Sequence, residues 1–303
     1  MSKTNQHPLY LTILAFIAIY FIWGSTYLFV AFAVEEIPPF FMAGIRFFLA
    51  AVIIFLLSPF FIDWSKVDRQ QVINSIQAGF WFLVLGNGAM TWALQYIDTG
   101  FASLLISTQP LVLLLMMWVF DGTKISPKSM LGVVLGLIGM YLLIDQEGVL
   151  SGNQDWVALG IMVSCLVTWG YGSLFVSKAK LPTNHFLNAA IQMSTGAVVL
   201  LAAGFIFEWQ DFHFLEVSTF SWMCTFYLVI FGSIIAFTAF NFLLTYVSPE
   251  KVATSTYVNP IVAVFLGWYF RNEIVTGQTI VAASILLLGV YFINTNKIKR
   301  SRS

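Results

Sequence analysis

The sequence predicts an all-α, polytopic membrane protein of ten transmembrane helices arranged as two inverted five-helix repeats. Three observations lead there. The first is composition. Of 303 residues, 59% are hydrophobic and 9% are charged, with a mean hydropathy of +0.86. A soluble domain carries about 25% charged residues, so this chain cannot cover its surface with polar groups and its solvent must be largely lipid. The second is the presence of ten apolar runs of membrane-spanning length. The third is a stretch that occurs twice.

The apolar runs fall at about 9–34, 38–62, 71–97, 100–120, 129–145, 156–179, 184–207, 218–246, 250–270 and 276–295. Each is long enough to cross a ~30 Å hydrocarbon core, the longest with tilt. Lipid offers no hydrogen bonds, so each run must satisfy its own backbone, which a helix does within one segment. The first run resembles a secretory signal, with Lys3 before it and Ala31-Phe32-Ala33 after it. Its apolar core is far longer than the roughly 7–15 residues of a signal, and its motif recurs later, so it reads as a helix of the mature protein.

The repeat is gapless over 49 residues: Gln95–Leu143 lies on Thr245–Ile293 at an offset of 150. Tyr96 falls on Tyr246, Pro110 on Pro260, Trp118 on Trp268 and Gly139 on Gly289. A second match, at an offset of 146, lays Trp23-Gly24 of the first run over Trp169-Gly170 of the sixth. Runs one to five therefore match runs six to ten. Five is odd, so the second unit enters from the opposite side and the units are inverted. The expected boundary separates 1–148 from 149–303.

Orientation follows from the basic residues. With a cytoplasmic N-terminus, Lys3, Lys66, Arg69, Lys124, Lys128, Lys178, Lys180, Lys251, Lys297, Lys299, Arg300 and Arg302 fall inside, which is 12 of 14. Arg271 falls outside and Arg46 within a helix. This bias places both termini in the cytoplasm. Most acids, including Glu35, Glu36, Asp98, Glu147, Glu208 and Glu273, fall on the other side.

Several classes are disfavoured. Net charge is +0 with no basic run suited to nucleic acid. Three histidines and two cysteines, Cys165 and Cys224, are too few for a metal or disulfide framework. There is no GxxxxGK[ST] loop, HExxH run or intramembrane aspartate pair, so neither ATP hydrolysis, a membrane enzyme nor a cofactor is expected. Phosphate-bearing substrates need several cavity-facing Lys or Arg, and only Arg46 is available.

The WGSTY motif at Trp23–Tyr27, the Pro39–Arg46 spacing, the GxxxGxxGMYLL ending of run five, the LLLGVYFI ending of run ten and Asn259-Pro260 together resemble the drug/metabolite transporter superfamily, and within it the EamA-type exporters. The likeness covers nearly the whole chain. It implies a carrier that exports amino acids, related metabolites or drugs, in the cytoplasmic membrane, with a small-molecule substrate and the lipid bilayer as partners.

The residues themselves nominate a site. Pro110 and Pro260 each remove a helix donor and crowd a carbonyl four residues back, those of Ile106 and Thr256. Ser107 or Thr254 could refill those bonds, giving a simple kink. Gln109 beside one proline, and Tyr257 and Asn259 beside the other, favour cavity lining, because a buried amide is costly unless it faces protein or water. Asn87, Thr91 and Gln95 are spaced at four and share a face; Thr238, Asn241 and Thr245 share another. The expected cavity lies between helices one, three, four, six, eight and nine, with interhelical hydrogen bonding as the plainer reading. Trp23, Ser25 and Trp169 sit near mid-depth, as substrate-stacking groups or as core packing. Arg46, about 12 Å along its helix, could bind a substrate carboxylate, snorkel toward Glu35 or Glu36, or bond freed carbonyls. Gly132, Gly136 and Gly139 make a small-residue seam, within the protomer or across a homodimer. Glycines 24, 86, 88, 170, 172 and 232 are hinges or close-packing points. With His7 and His213 outside the runs, His185 at the very start of one and acids only at their ends, facilitated diffusion or exchange is expected ahead of proton coupling.

Overall fold

The computed structural model describes residues 9–60, 67–122, 126–145, 152–247, 252 and 255–294. Lys3, Lys66, Lys124, Glu147, Glu250, Lys251, Thr254, Lys297, Lys299, Arg300, Arg302 and His7 lie outside them. The described residues contain helices and turns and no strand. The helical runs are α1 (Leu9–Ala33), α2 (Pro39–Leu57), α3 (69–93), α4 (Thr99–Phe120), α5 (Pro127–Ile144), α6 (Asn153–Val176), α7 (His185–Phe207), α8 (Thr219–Tyr246), α9 (Ser255–Arg271) and α10 (Gly277–Asn294). Seven of these, α1, α2 and α4–α8, are long and apolar enough to cross a membrane. α3 is as long, but its first half, RQQVINSIQ, is polar.

Sequence and packing explain the ends. Pro39 and Pro127 open α2 and α5 at positions where a missing N–H costs nothing. Asp68 caps α3, accepting from Gln71 N at 2.8 Å while Gln71 returns a bond to Asp68 N. α3 stops at Ala93, four residues before the end of the apolar run, because 94–96 turn ahead of α4.

The two prolines of the repeat act differently. α4 breaks after Ile106, turns at Ser107 and Thr108, and restarts at Gln109. α9 runs from Ser255 through Pro260 without a break. The Ser107 hydroxyl bonds Leu104 O and the Thr108 hydroxyl Leu105 O, so neither refills the Ile106 carbonyl, the alternative that the simple-kink reading allowed to Ser107.

Helices pack in corresponding pairs. α5 lies along α10 and α2 along α7. The α5 seam is internal to the protomer: a methyl on Gly132 would come 2.6 Å from Gly289 O, and one on Gly289 would come 2.7 Å from Gly132 O. α3 packs on α6 and α7, as α8 packs on α1 and α2. Large apolar side chains such as Val198 and Ile206, 70% and 72% exposed, stand on the outer surface, where lipid rather than water must cover them.

Two ends of the bundle are tied by different chemistry. At one, here the Glu273 face, the Glu208 carboxylate accepts from Phe40 N and Phe41 N at the start of α2. Glu273 accepts from Thr99 N, Thr99 Oγ1 and Gly100 N at the start of α4. Glu36 accepts from Ser218 N, and Arg271 pairs with Glu35. At the other, the Asp68 face, Lys180 pairs with Asp68, and Asn74 and Gln71 donate to Lys180 O and Leu181 O.

The axis between the two halves

Three stretches depart from α-helical geometry into π-helix: 18–22 of α1, 80–88 of α3 and 228–237 of α8. Such stretches are rare and gather at functional sites. Those of α3 and α8 correspond, Phe80 falling on Ile230 at the offset of 150.

The candidate amides meet these helices reciprocally. Gln109 on α4 donates to Leu166 O on α6 at 3.1 Å. Asn259 on α9, with its amide nitrogen turned toward acceptors, donates to Tyr20 O at 2.8 Å and Ile19 O at 3.0 Å on α1, and to Ser255 O at 3.2 Å. Tyr20 and Leu166 are themselves equivalent at the offset of 146. Each proline-bearing helix thus bonds the same carbonyl on the first helix of the opposite half. Gly24 and Gly170 permit the approach: a methyl on Gly24 would come 2.7 Å from Val262 Cβ, and one on Gly170 would come 2.8 Å from Met116 Sδ and 3.2 Å from Gln109 Nε2.

Beside this crossing the rings gather. Trp23 meets Trp169 edge-on, centroids 6.2 Å apart at 84°, and Phe240 stands 5.0 Å from Trp23 and 6.1 Å from Trp169. Phe82 joins at 4.9 Å from Trp169. These spacings are those of attractive aromatic pairs. Both tryptophans remain partly exposed.

The other candidates are placed elsewhere. Thr91 is fully buried and donates to Asn87 O of its own helix. Gln95 lies in the turn beyond α3, exposed, its amide bonded to Trp92 O. Ser25 bonds Ile22 O and shares a hydrogen with Tyr227 OH at 2.7 Å. Tyr257 is half-buried in the first turn of α9. Asn241 belongs to a sealed amide cluster near the Asp68 face. Its Oδ1 accepts from Asn188 Nδ2 at 3.0 Å and from Gln192 Nε2 at 3.5 Å, and its Nδ2 donates to Phe237 O. Ser75 completes the cluster by donating to Asn188 Oδ1. Ser75, Asn188 and Gln192 escaped the sequence reading, although Asn188 and Gln192 are spaced at four on one helix face.

Arg46 does not snorkel toward Glu35 or Glu36, which pair with Arg271 and Ser218 instead. It is 3% exposed, donates from Nε to Ser233 Oγ at 2.7 Å and lies over the Phe47 ring at 5.1 Å. All six candidate hinge glycines are tightly packed. Methyls on Gly86, Gly88, Gly172 and Gly232 would come within 3.0 Å of Trp169, Leu200, Phe82 and Arg46 respectively, as on Gly24 and Gly170. Cys165 and Cys224 are buried free thiols. Among the described residues no His, Cys, Asp and Glu cluster could hold a metal.

Two grooves open sideways, at corresponding places. One, about 450 Å³, lies between α3, α6 and α7 and includes Gln77, Trp81, Tyr171 and Thr195. The other, about 630 Å³, lies between α2 and α8 and includes Leu49, Trp222, Tyr227 and Phe231.

An all-helical bundle with matched halves, crossing amides and an apolar outer surface defines a multi-pass membrane protein. Its residues 10–145 and 156–295 each match the EamA-like transporter family, and the chain belongs to that family. It is 33% identical over 285 residues to the uncharacterized inner membrane transporter YedA of Escherichia coli K12, covering 93% of this chain and 90% of YedA. It is 27% identical over 307 residues to the uncharacterized transporter YoaV of Bacillus subtilis 168, covering 95% and 98%. A crystal structure of a protein 16% identical superimposes with a TM-score of 0.67 over 94% of this chain and 96% of that one, a likeness of fold.

Proposed function

We propose that this chain is a carrier of the inner, cytoplasmic membrane that exports small neutral or zwitterionic metabolites, amino acids foremost, by alternating access. In this reading α1–α10 all cross the bilayer as two inverted units, 1–148 and 149–303, with both termini in the cytoplasm. The observation that carries it is the reciprocal crossing, Gln109 to Leu166 O and Asn259 to Tyr20 O, with Trp23 and Trp169 in contact beside it. Two units that grip each other through equivalent bonds can rock about that contact, and exchanging their arrangements opens opposite sides.

The Glu273 face is then the external one. Four fastenings cross between the units there: Glu273 to α4, Glu208 to α2, Glu36 to Ser218 and Arg271 to Glu35. They support reading this arrangement as closed to the outside. Outward opening requires Glu273 to leave the first N–H groups of α4. Substrate meets the partly exposed rings of Trp23 and Trp169, and transport runs by facilitated diffusion or exchange.

The test is uptake of radiolabelled amino acids into liposomes holding the purified protein, with Trp23→Ala and Trp169→Ala as controls. Saturable flux lost in both variants is expected; flux equal to that of empty liposomes sinks the reading. The apolar lateral grooves favour a second reading, efflux of lipophilic compounds or purines through the same fold. Competition of such compounds with amino-acid flux separates the two.

A further inference from the structure

Arg46 is a buried cation without a counter-charge among the described residues. Its Nη1 has no hydrogen-bond partner, and Nε reaches only the neutral hydroxyl of Ser233. The carboxylates of Glu35, Glu36, Glu208 and Glu273 are committed to other groups. A cation withdrawn from solvent is costly unless paired, and the Phe47 face offsets only part of that cost.

The molecule supplies its own control. At the offset of 146, α2 falls on α7, Phe40 on Phe186, Ala43 on Ala189, Ile45 on Ile191, and Arg46 on Gln192. Gln192 fills the corresponding place as a neutral amide, 0% exposed. Helix packing at this position therefore does not call for a charge.

The α2–α8 groove lies close to Arg46 along both helices that form it. Leu49, on its wall, is three residues beyond Arg46 on the same face of α2. Phe231, also on the wall, directly precedes Gly232, whose missing side chain leaves the space the guanidinium occupies; a methyl there would come 2.9 Å from Nη2. Trp222, Met223, Phe226 and Ile230 make most of the remaining wall apolar, with Thr219, Thr225 and Tyr227 as its polar members. Arg46 is buried behind this wall rather than on it, so a lipid-facing groove one helical turn from an unpaired guanidinium fits a molecule with an apolar body and one anionic end that reaches past the wall.

We propose that Arg46 binds the carboxylate of an amphipathic monocarboxylic acid whose apolar body lies in the α2–α8 groove. Nη1 donates to the carboxylate, completing the charge-assisted pairing that guanidinium geometry favours. A groove of about 630 Å³ holds an acid of medium chain length or one aromatic ring. One guanidinium matches a single negative charge, which separates this ligand from phosphate esters. Tyr227, between the groove and Ser25, must swing for entry, since its hydroxyl bonds Ser25 Oγ. The inference deepens the carrier reading and rests on it only for whether the bound acid is cargo; binding itself stands apart.

The test uses the full chain in lipid nanodiscs and reads the thermal unfolding midpoint with octanoate, 1-octanol or chloride added. Octanoate is expected to raise the midpoint by about 2–4 °C and octanol to leave it unchanged. Arg46→Gln should abolish the octanoate shift. Leu49→Trp, which fills the groove and leaves Arg46 intact, should abolish it too, and decides the matter if Arg46→Gln fails to fold. Equal shifts from octanoate and octanol, an octanoate shift surviving in either variant, or chloride reproducing and blocking it would overturn the proposal. Octanoate binding without flux of any solute would sink the carrier reading and keep the site; amino-acid flux without octanoate binding would do the reverse.

Discussion

Arg46 and Gln192 stand at corresponding places on α2 and α7, and what surrounds them differs. Gln192 sits in a cluster where Ser75, Asn188 and Asn241 satisfy one another, leaving Gln192 Oε1 as its one unpaired atom. Arg46 has one hydrogen bond and an unpaired Nη1. An unmade bond on a neutral amide costs about 1–3 kcal/mol, and more on a charged group. The neutral cluster is a fastening and gains from staying shut. The charged position gains from being visited by an anion. Two helices of like sequence and packing thus differ in this one place, a neutral amide held in a cluster on α7 and a guanidinium with one hydrogen bond on α2.

Asn241→Ala should have the largest effect on this contrast. It strips the acceptor from two buried amides and the donor from Phe237 O, for a predicted loss of about 2–4 kcal/mol, read as a lower unfolding midpoint in nanodiscs. Thr91, its counterpart at the offset of 150, bonds only its own helix, so Thr91→Ala should cost about 0.6 kcal/mol or less. Equal losses would show that the cluster is not cooperative.

The crossing amides come next. The Asn259 nitrogen shares its two hydrogens among three carbonyls and Gln109 makes one bond, so Asn259→Leu should cost about 0.5–1.5 kcal/mol more than Gln109→Leu. If both are tethers, each variant changes transport rate with little change in the substrate concentration for half-maximal flux. A large rise in that concentration in either variant would make the amide a substrate ligand instead.

The Glu273 face makes a smaller, pH-dependent prediction. The surrounding protein, and then neighbouring Glu273, hold the Asp98 carboxyl above its usual range, while Arg271 opposes them. Burial holds Glu208 up likewise, against the Phe40 and Phe41 amides. An acid whose folded pKa is raised takes up a proton more readily folded than unfolded, so stability rises as pH falls from neutral through the raised pKa and levels off below the unfolded one. Mild acidification should therefore raise the unfolding midpoint slightly, and Asp98→Asn should flatten part of that rise. The opposite contributions of Glu36 and Asp68, whose carboxyls are lowered by Ser218 and Lys180 respectively, act only at more acid pH and at exposed positions. A midpoint that falls on mild acidification would contradict this.

Much of the candidate site was legible. Trp23 and Trp169 were paired by offset alone, and Gln109 and Asn259 by their place beside matching prolines. The tryptophans touch each other, and the two amides make equivalent bonds to the first helix of the opposite half. The Thr91 and Asn241 faces read as symmetric but came apart: a threonine can satisfy itself on the carbonyl one turn back, whereas an asparagine at the same place reached Asn188 and Gln192. Gln95 read as helical because nothing in its spacing reveals a turn that α4 imposes from beyond it. The Glu208 and Glu273 caps were invisible, since each serves a helix start 168 or more residues away.

By itself the sequence determined the solvent, the helices and the correspondence of the halves. Each follows from local quantities: apolar run length, backbone self-satisfaction and residue identity at a fixed offset. Only the tertiary structure decided which buried polar groups close on one another and which are left wanting. It turned the Gly132–Gly139 seam inward onto α10, sealed Asn241, and gave Arg46 one neutral hydroxyl as its hydrogen-bond partner. Hydrogen bonds and charge pairs act over a few ångströms, between side chains that the chain itself separates by scores of residues.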